Sequence, residues 1–288
     1  MQNSDITDTL FREAVEIIDA GNLSSLERLL NEHPRLVSKR LDLPKGGYFK
    51  DPYLLWFVAD NPIRHEKLPA NICDLTRLII QHARINAAES FQEQIDYTLG
   101  LVVAGRIPRE CGVQIEMIDL LIDAGAAPGG GHGALAHGNI DAAKRLIEKG
   151  GELTLATAIC LDRSTDIARL IKESTPADLL VALIAASFYG KPEMIKRLIE
   201  QGANVNGYLD SSNGFHFHAT ALHQAVYSGS LDSVKLLVEA GANLYAEDRI
   251  YQGTPIGWSG FMQTEVNDVN LKKKYAEIEA YLLSKKKE

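Results

Sequence analysis

TALHQAVYSGSLDSVKLLVEAG, residues 220–241, reads as two short helices joined at a glycine. Ala221, Leu222, Ala225 and Val226 give the first helix its small and apolar residues. Gly229 permits a reversal that a side chain would strain. The second helix spaces Leu231, Val234, Leu237 and Val238 three or four apart, which lines one face. Asp232 falls in its first turn, where a negative charge suits the helix dipole. Gly241 closes it, as glycine does just past many helix ends. One such hairpin cannot bury its apolar face alone, so it must stack on copies of itself.

The same ruler recurs along the chain. Laid over residues 129–150, Gly229 falls on Gly138, Asp232 on Asp141, Leu237 on Leu146, Val238 on Ile147, His223 on His132 and Gly241 on Gly150. Gly190 leads to Glu193, Leu198, Ile199 and Gly202, and Gly21 to Ser24, Leu29 and Leu30. Val113 stands at the glycine place ahead of Glu116, Leu121, Ile122 and Gly125. Asn71 holds it ahead of Asp74, Ile79 and Ile80, and Asp162 ahead of Leu170 and Ile171. Ile278, Tyr281, Leu282 and Leu283 end what reads as a last, eroded copy.

Thr220-Ala221-Leu222-His223, with Ala225, Gly229, Leu237 and Gly241-Ala242-Asn243, resembles the ankyrin repeat, which opens on Thr-Pro-Leu-His and closes on Gly-Ala-Asp/Asn. Gln201-Gly202-Ala203-Asn204-Val205-Asn206 and Gly253-Thr254-Pro255-Ile256 match further pieces. The resemblance implies an all-α, ankyrin-like solenoid of roughly eight stacked helix-turn-helix units with irregular loops. It also implies a concave binding face and no enzymatic activity. We expect one domain over 1–288, with divergent units at about 8–130 and short units at about 129–177. The best-formed units fall at about 178–260 and an eroded cap at about 261–288.

The spacing is irregular. Anchors at 21, 71, 113, 138, 162, 190 and 229 leave gaps of 50, 42, 25, 24, 28 and 39, against an ankyrin period of about 33. The short gaps predict tight turns in the middle. The long ones predict insertions at about 38–52, 61–70, 84–96, 106–112 and 207–219, expected at the surface, where loops often carry function.

Composition narrows the function classes. A net charge of −8 argues against nucleic acid as a partner, because phosphate binding needs a basic field. Cys73, Cys111 and Cys160 form no CxxC pair and read as thiols of a reducing compartment. MQNSDITDTLFREAVEII lacks a basic segment followed by an apolar run, so no secretory leader is expected. No run of about 18 apolar residues predicts a membrane span. A cytoplasmic location follows as the expectation, with a protein partner and a monomer or weak homo-oligomer. No cofactor is expected.

The segment 207–218, GYLDSSNGFHFH, interrupts the best-formed part of the array and is rich in rings. Exposed aromatics anchor interfaces, which nominates Tyr208, Phe215, His216 and Phe217 as partner contacts. The alternative is that Phe215 and Phe217 fold back over the stack. Tyr189, Tyr227 and Ser228 end the first helices of their units, an edge that by family resemblance faces the concave side. Tyr251 joins them as a partner contact, or with Trp258 caps the stack. His216, His218 and His223 raise a second reading, a metal- or small-molecule-binding enzyme. Against it, His223 holds the Thr-Pro-Leu-His place, and no CxxC or HExxH pattern is present. Gly129-Gly130-Gly131-His132-Gly133 lacks the Lys and Ser/Thr of a phosphate loop and reads as a turn. Lys272-Lys273-Lys274 and Lys285-Lys286-Lys287 read as solvated helix surface. No catalytic constellation emerges.

Overall fold

A computed structural model describes residues 3–44, 46–211 and 214–286, and among them there are helices and turns but no strand. Contacts group the chain into two compact units, Met1–Glu152 and Leu153–Glu288.

The second unit is the regular one. It contains α9 (Leu155–Cys160), α10 (Ser164–Glu173), α11 (Pro176–Phe188), α12 (Pro192–Glu200), α13 (Ala221–Tyr227), α14 (Leu231–Glu239), α15 (Pro255–Glu265) and α16 (Val269–Lys285). Helices α9, α11, α13 and α15 pack side by side as an inner row, while α12, α14 and α16 form an outer row. Each inner helix starts on a threonine. Thr154, Thr175, Thr220 and Thr254 are the N-caps, and their hydroxyls meet the orphan backbone donors of the first turn. Thr175 and Asp178 close a reciprocal capping box, with Asp178 N–H on the threonine oxygen at 3.2 Å and Thr175 N–H on the carboxylate at 2.9 Å. Gly229 makes the turn between α13 and α14 at φ +69°. Asp162 makes the equivalent turn at φ +55° without a glycine, one of the few residue types that tolerate this region.

The core follows the ruler. On α14 the buried residues are Ser233, Val234 and Leu237, and Ile195 and Leu198 hold the matching places on α12. The C-terminal copy is better formed than its sequence suggests. It is a full hairpin of α15 and α16, with Tyr275, Ile278 and Leu282 buried. Leu283 is exposed, Tyr281 is half-buried with the Lys235 ammonium 5.9 Å over its ring, and Lys272–Lys274 lie on the exposed side of α16. Lys287 of the terminal basic run is outside the described residues, as are Ser212 and Asn213 of the inserted loop.

The first unit contains α1 (Thr9–Asp19), α2 (Leu23–Glu32), α3 (Ile72–Asn86), α4 (Phe91–Ala104), α5 (Arg106–Glu110), α6 (Gln114–Asp123), α7 (His132–Ala136) and α8 (Ile140–Glu148). Helices α2, α3, α6 and α8 form its outer row. The inner row runs α1, a 3₁₀ segment Leu54–Ala59, α4 and α7. The 3₁₀ segment stands where a second inner helix belongs, and all six of its residues are buried. Phe57 anchors it against Phe11 and Phe49, with ring centroids 5.5 and 5.1 Å away.

Several sequence expectations shift here. The reversal ahead of α6 is at Gly112 (φ +73°) rather than at Val113, and α6 gains one residue at its start. Its buried Met117, Ile118 and Leu121 still keep the ruler. The segment 84–96 is largely helical, because α3 continues to Asn86 and α4 begins at Phe91, and it buries Ala87, Gln94 and Ile95. Residues 106–112 contain α5. Leu41 and Phe49 within 38–52 belong to the core. The tight middle turns are present within each unit: three residues, 137–139, separate α7 from α8, and three, 161–163, separate α9 from α10. The glycine-rich stretch is a turn leading into α7.

Candidate functional site

Helix α13 begins with a device that fixes the whole neighbourhood. Thr220 N–H and its hydroxyl lie 3.3 and 2.8 Å from His223 Nδ1. On its other side His223 Nε2 lies 3.0 Å from the Gly253 carbonyl, which only accepts, so Nε2 carries the proton and Nδ1 receives. Both nitrogens of this fully buried ring are therefore committed. A metal would have to break the cap of α13 to reach Nδ1, or the bond to the Gly253 carbonyl to reach Nε2, which removes His223 from the histidine cluster as a ligand. Among the described residues no three His, Cys, Asp or Glu side chains are grouped to hold a metal ion.

Gly253 belongs to a turn organised by Asp248. This carboxylate is 1% exposed, yet it is surrounded by donors. Oδ1 accepts from Ile250 N–H at 3.0 Å and Tyr251 N–H at 2.7 Å. Oδ2 accepts from Gly253 N–H at 2.9 Å and Trp258 Nε1–H at 3.0 Å. Burial alone would raise its pKa, but the bonds from Tyr251, Trp258, Ile250 and Gly253 outweigh burial and hold the carboxyl below its usual range.

The inserted loop is laced to this turn. His218 carbonyl accepts from Arg249 N–H at 2.8 Å, and Tyr208 hydroxyl donates to the Glu247 carbonyl at 2.8 Å. The Arg249 guanidinium lies 4.4 Å over the Tyr208 ring and donates to Leu209 carbonyl at 3.2 Å. Tyr208 is thus a brace for the loop.

Rings join α11, the loop and α15. Phe188 at the end of α11 stacks on Tyr227 at 5.3 Å with planes 8° apart. It also meets Tyr189 at 5.1 Å, Phe215 at 5.8 Å and His216 at 4.6 Å. His216 lies 6.0 Å from His218, which contacts Trp258 at 6.0 Å and Tyr251 at 6.5 Å. Trp258 closes the chain against His223 at 5.0 Å.

The predicted contact residues divide on this ladder. Phe215 is 3% exposed and works as the loop's core anchor, so its fold-back reading is the one the structure adopts. Phe217, His216, Tyr189 and Ser228 are half-buried. Ser228 hydroxyl donates to Ala225 carbonyl at 2.8 Å and so finishes α13. Burial raises the Tyr189 hydroxyl pKa, with Cys160 adding to the effect. Tyr227 and Tyr251 remain open, at 44% and 78% exposure. Tyr227 is steadied from below, where its carbonyl accepts the Tyr275 hydroxyl at 2.8 Å.

Phe188 and Asp248 were not singled out from sequence. Phe188 sits in an apolar helix end and has no pattern to mark it. Asp248 had a signal: an aspartate five residues before Gly-Thr-Pro, a residue type that bonds the backbone ahead of it in turns.

The buried imidazoles set a pH dependence. Burial lowers the His223 pKa, against smaller opposing effects from the Gly253 carbonyl and Asp248. Burial lowers that of His218 as well. In the unfolded chain both titrate near pH 6.5, so acid charges the unfolded state first. The stability they contribute is present above about pH 6.5 and is lost as pH falls toward their folded values. Thermal unfolding at about pH 7 and pH 5 should show a lower Tm in acid, and His218→Gln with His223→Gln should flatten the difference. An unchanged slope in that double variant would assign the dependence elsewhere.

The family model described as ankyrin repeats (3 copies) matches residues 132–248. A crystal structure of the human ASB11 ankyrin repeat domain is similar over 92% of this chain and 96% of that one, at 15% identity and a TM-score of 0.34. A likeness that loose carries no argument. No curated protein matches the sequence. Among the described residues no helix is long and apolar enough to cross a membrane. The matched span runs from the start of α7 through the threonine-capped helices α9, α11 and α13 to Asp248, so the chain is similar to ankyrin repeats over residues 132–248.

Proposed function

We propose that the chain is a non-catalytic scaffold that binds a protein partner through the ring ladder of its second unit. Ankyrin repeats are generally protein–protein interaction modules, which supports this class of function. The observation that carries the site is the pair of exposed rings on a fixed base. Tyr227 and Tyr251 are open, while Phe188 stacks on the Tyr227 ring and the Asp248 turn holds the Tyr251 backbone. The Tyr227 ring, already stacked on Phe188, loses little freedom on binding, which favours affinity. Tyr227 and Tyr251 are the anchors, His216 and Phe217 flank them, and Tyr189, Tyr208, Phe215 and Ser228 support them from behind. The reading places the protein in the cytoplasm as a monomer or weak homo-oligomer, and gives it no cofactor.

Peptides selected from a random display library on the whole protein would test it. Truncating an anchor ring costs about 1–2 kcal/mol each, so Tyr227→Ala with Tyr251→Ala should weaken selected peptides about 30- to 1,000-fold. Peptides that bind the double variant as tightly as the wild type would move the site elsewhere.

A further inference from the structure

The first unit holds a hollow where its second hairpin lacks an inner α-helix. The 3₁₀ segment Leu54–Ala59 stands between α1 and α4, and on α4 Gly100 is exposed while Tyr97 and Ala104 are half-buried. The result is a cavity of about 600 Å³, within the range of small-ligand sites. Gly100, Leu101 and Ala104 of α4 line it together with Tyr48, Tyr97 and Ile63.

Its two tyrosines are held by their hydroxyls. Tyr48 Oη donates to Asn61 Oδ1 at 2.7 Å, and Asn61 Nδ2 donates to the Leu101 carbonyl at 3.0 Å. The Tyr97 hydroxyl donates to the Tyr48 carbonyl. Tyr97 also stacks on Trp56, with centroids 4.0 Å apart. With their hydroxyls committed, these rings offer a ligand their π-faces.

The rim is acidic. Asp96 accepts only neutral donors, Gln92 Nε2–H at 3.0 Å and Ala127 N–H at 2.8 Å, so its charge is not offset. Among the described residues Arg106 is the one lining cation of Arg or Lys type, and two carboxylates bracket it, Glu110 at 2.9 Å and Glu66 at 3.3 Å. Asp60 has its own partner in Arg64, 3.7 Å away. Burial, helped by Arg109, lowers the His137 pKa and keeps that ring neutral near pH 7.

Gly100 is a second, independent sign. A glycine inside a helix weakens it. Here nothing in the fold requires one, because a Cβ at Gly100 would meet no atom within 4 Å. The missing side chain keeps the hollow open.

We propose that this hollow receives an arginine side chain from a basic segment of a partner protein. A planar guanidinium stacks on tyrosine and meets carboxylates with two parallel bonds, which an ammonium does not. The fold makes the same pairing internally, with Arg40 4.4 Å over Tyr53. This site is independent of the ring ladder in the second unit.

Fluorescence anisotropy of a labelled hexa-arginine peptide with the whole protein, at about 0.15 M salt, tests the proposal. We expect saturable binding, weaker binding of hexa-lysine and none of hexa-glutamate. Gly100→Leu should fill the hollow and weaken hexa-arginine about tenfold without lowering Tm. Tyr48→Ala removes an exposed ring and should act in the same direction, so it decides the matter if Gly100→Leu does not fold. Unchanged affinity in Tyr48→Ala and in folded Gly100→Leu would overturn the proposal, as would equal binding of hexa-lysine or hexa-glutamate.

Discussion

Replacing Asp248 with alanine should cost the second unit about 3–5 kcal/mol of stability. The carboxylate is 1% exposed and accepts four hydrogen bonds, from Ile250, Tyr251, Gly253 and Trp258. A bond to a charged acceptor contributes about 1.5–3 kcal/mol, and a stranded buried donor costs about 1–3 kcal/mol. The four are not additive, because the turn 248–253 relaxes once its centre is gone and water reaches some of the donors. Asp248→Asn keeps the shape but turns an amide into a ring of donors, so it should fall between alanine and wild type. Urea denaturation followed by circular dichroism measures both. A loss under about 1 kcal/mol for Asp248→Ala would mean that the turn is held from elsewhere. The same variant also tests the link to function, since Tyr251 N–H is one of the four donors.

The second large effect is in the first unit. Phe57→Ala should cost about 3–5 kcal/mol, the usual range for emptying a buried phenylalanine site. Phe57 is fully buried between Phe11 and Phe49, and the Arg64 guanidinium lies 5.1 Å over its ring. Its carbonyl also accepts from Arg64 at 3.1 Å. The segment cannot collapse around the void as a helix would, because its neighbours α1, α3 and α4 already fix it on three sides. Phe57→Leu keeps most of the volume and should cost about 1.5 kcal/mol or less. Trp56 emission in a Trp258→Phe background follows this unit alone. A Phe57→Ala protein as stable as wild type would show that the 3₁₀ segment is not part of the first unit's core.

How far the sequence carried this reading depended on the kind of feature. Repeat-level features were legible because they are written in residue spacing. The glycine reversal at 229 and the core places Val234 and Leu237 of α14 read directly from the pattern. The threonine caps at 154, 175, 220 and 254 went unread as caps, although Thr220 and Thr254 stand in stretches that match the repeat. The first unit was harder. An array without an inner helix at its second place has no periodicity there, and the 3₁₀ segment LLWFVA is an apolar run with no period at all. The candidate site lay between these extremes. Its rings were visible as an aromatic cluster, but which ring is open is decided by three-dimensional contacts. Phe215 and Tyr227 look equally suited to an interface in sequence, yet one is buried under Phe188 and the other stands outside it. His223 could be set apart from His216 and His218 because it holds the Thr-Pro-Leu-His place, which the resemblance makes structural; its capping contact to Thr220 came from the structure.

Photocrosslinking tests the central claim most directly. Benzoylphenylalanine is placed in turn at Tyr251 and at Ile85, which are matched in exposure at 78% and 79% but lie in different units. Each protein is irradiated with a peptide selected on the wild type. A covalent adduct from position 251 and none from position 85 is the predicted result. An adduct from 85, or its absence at 251 while binding persists, would contradict the assignment of the ring ladder as the partner-binding surface.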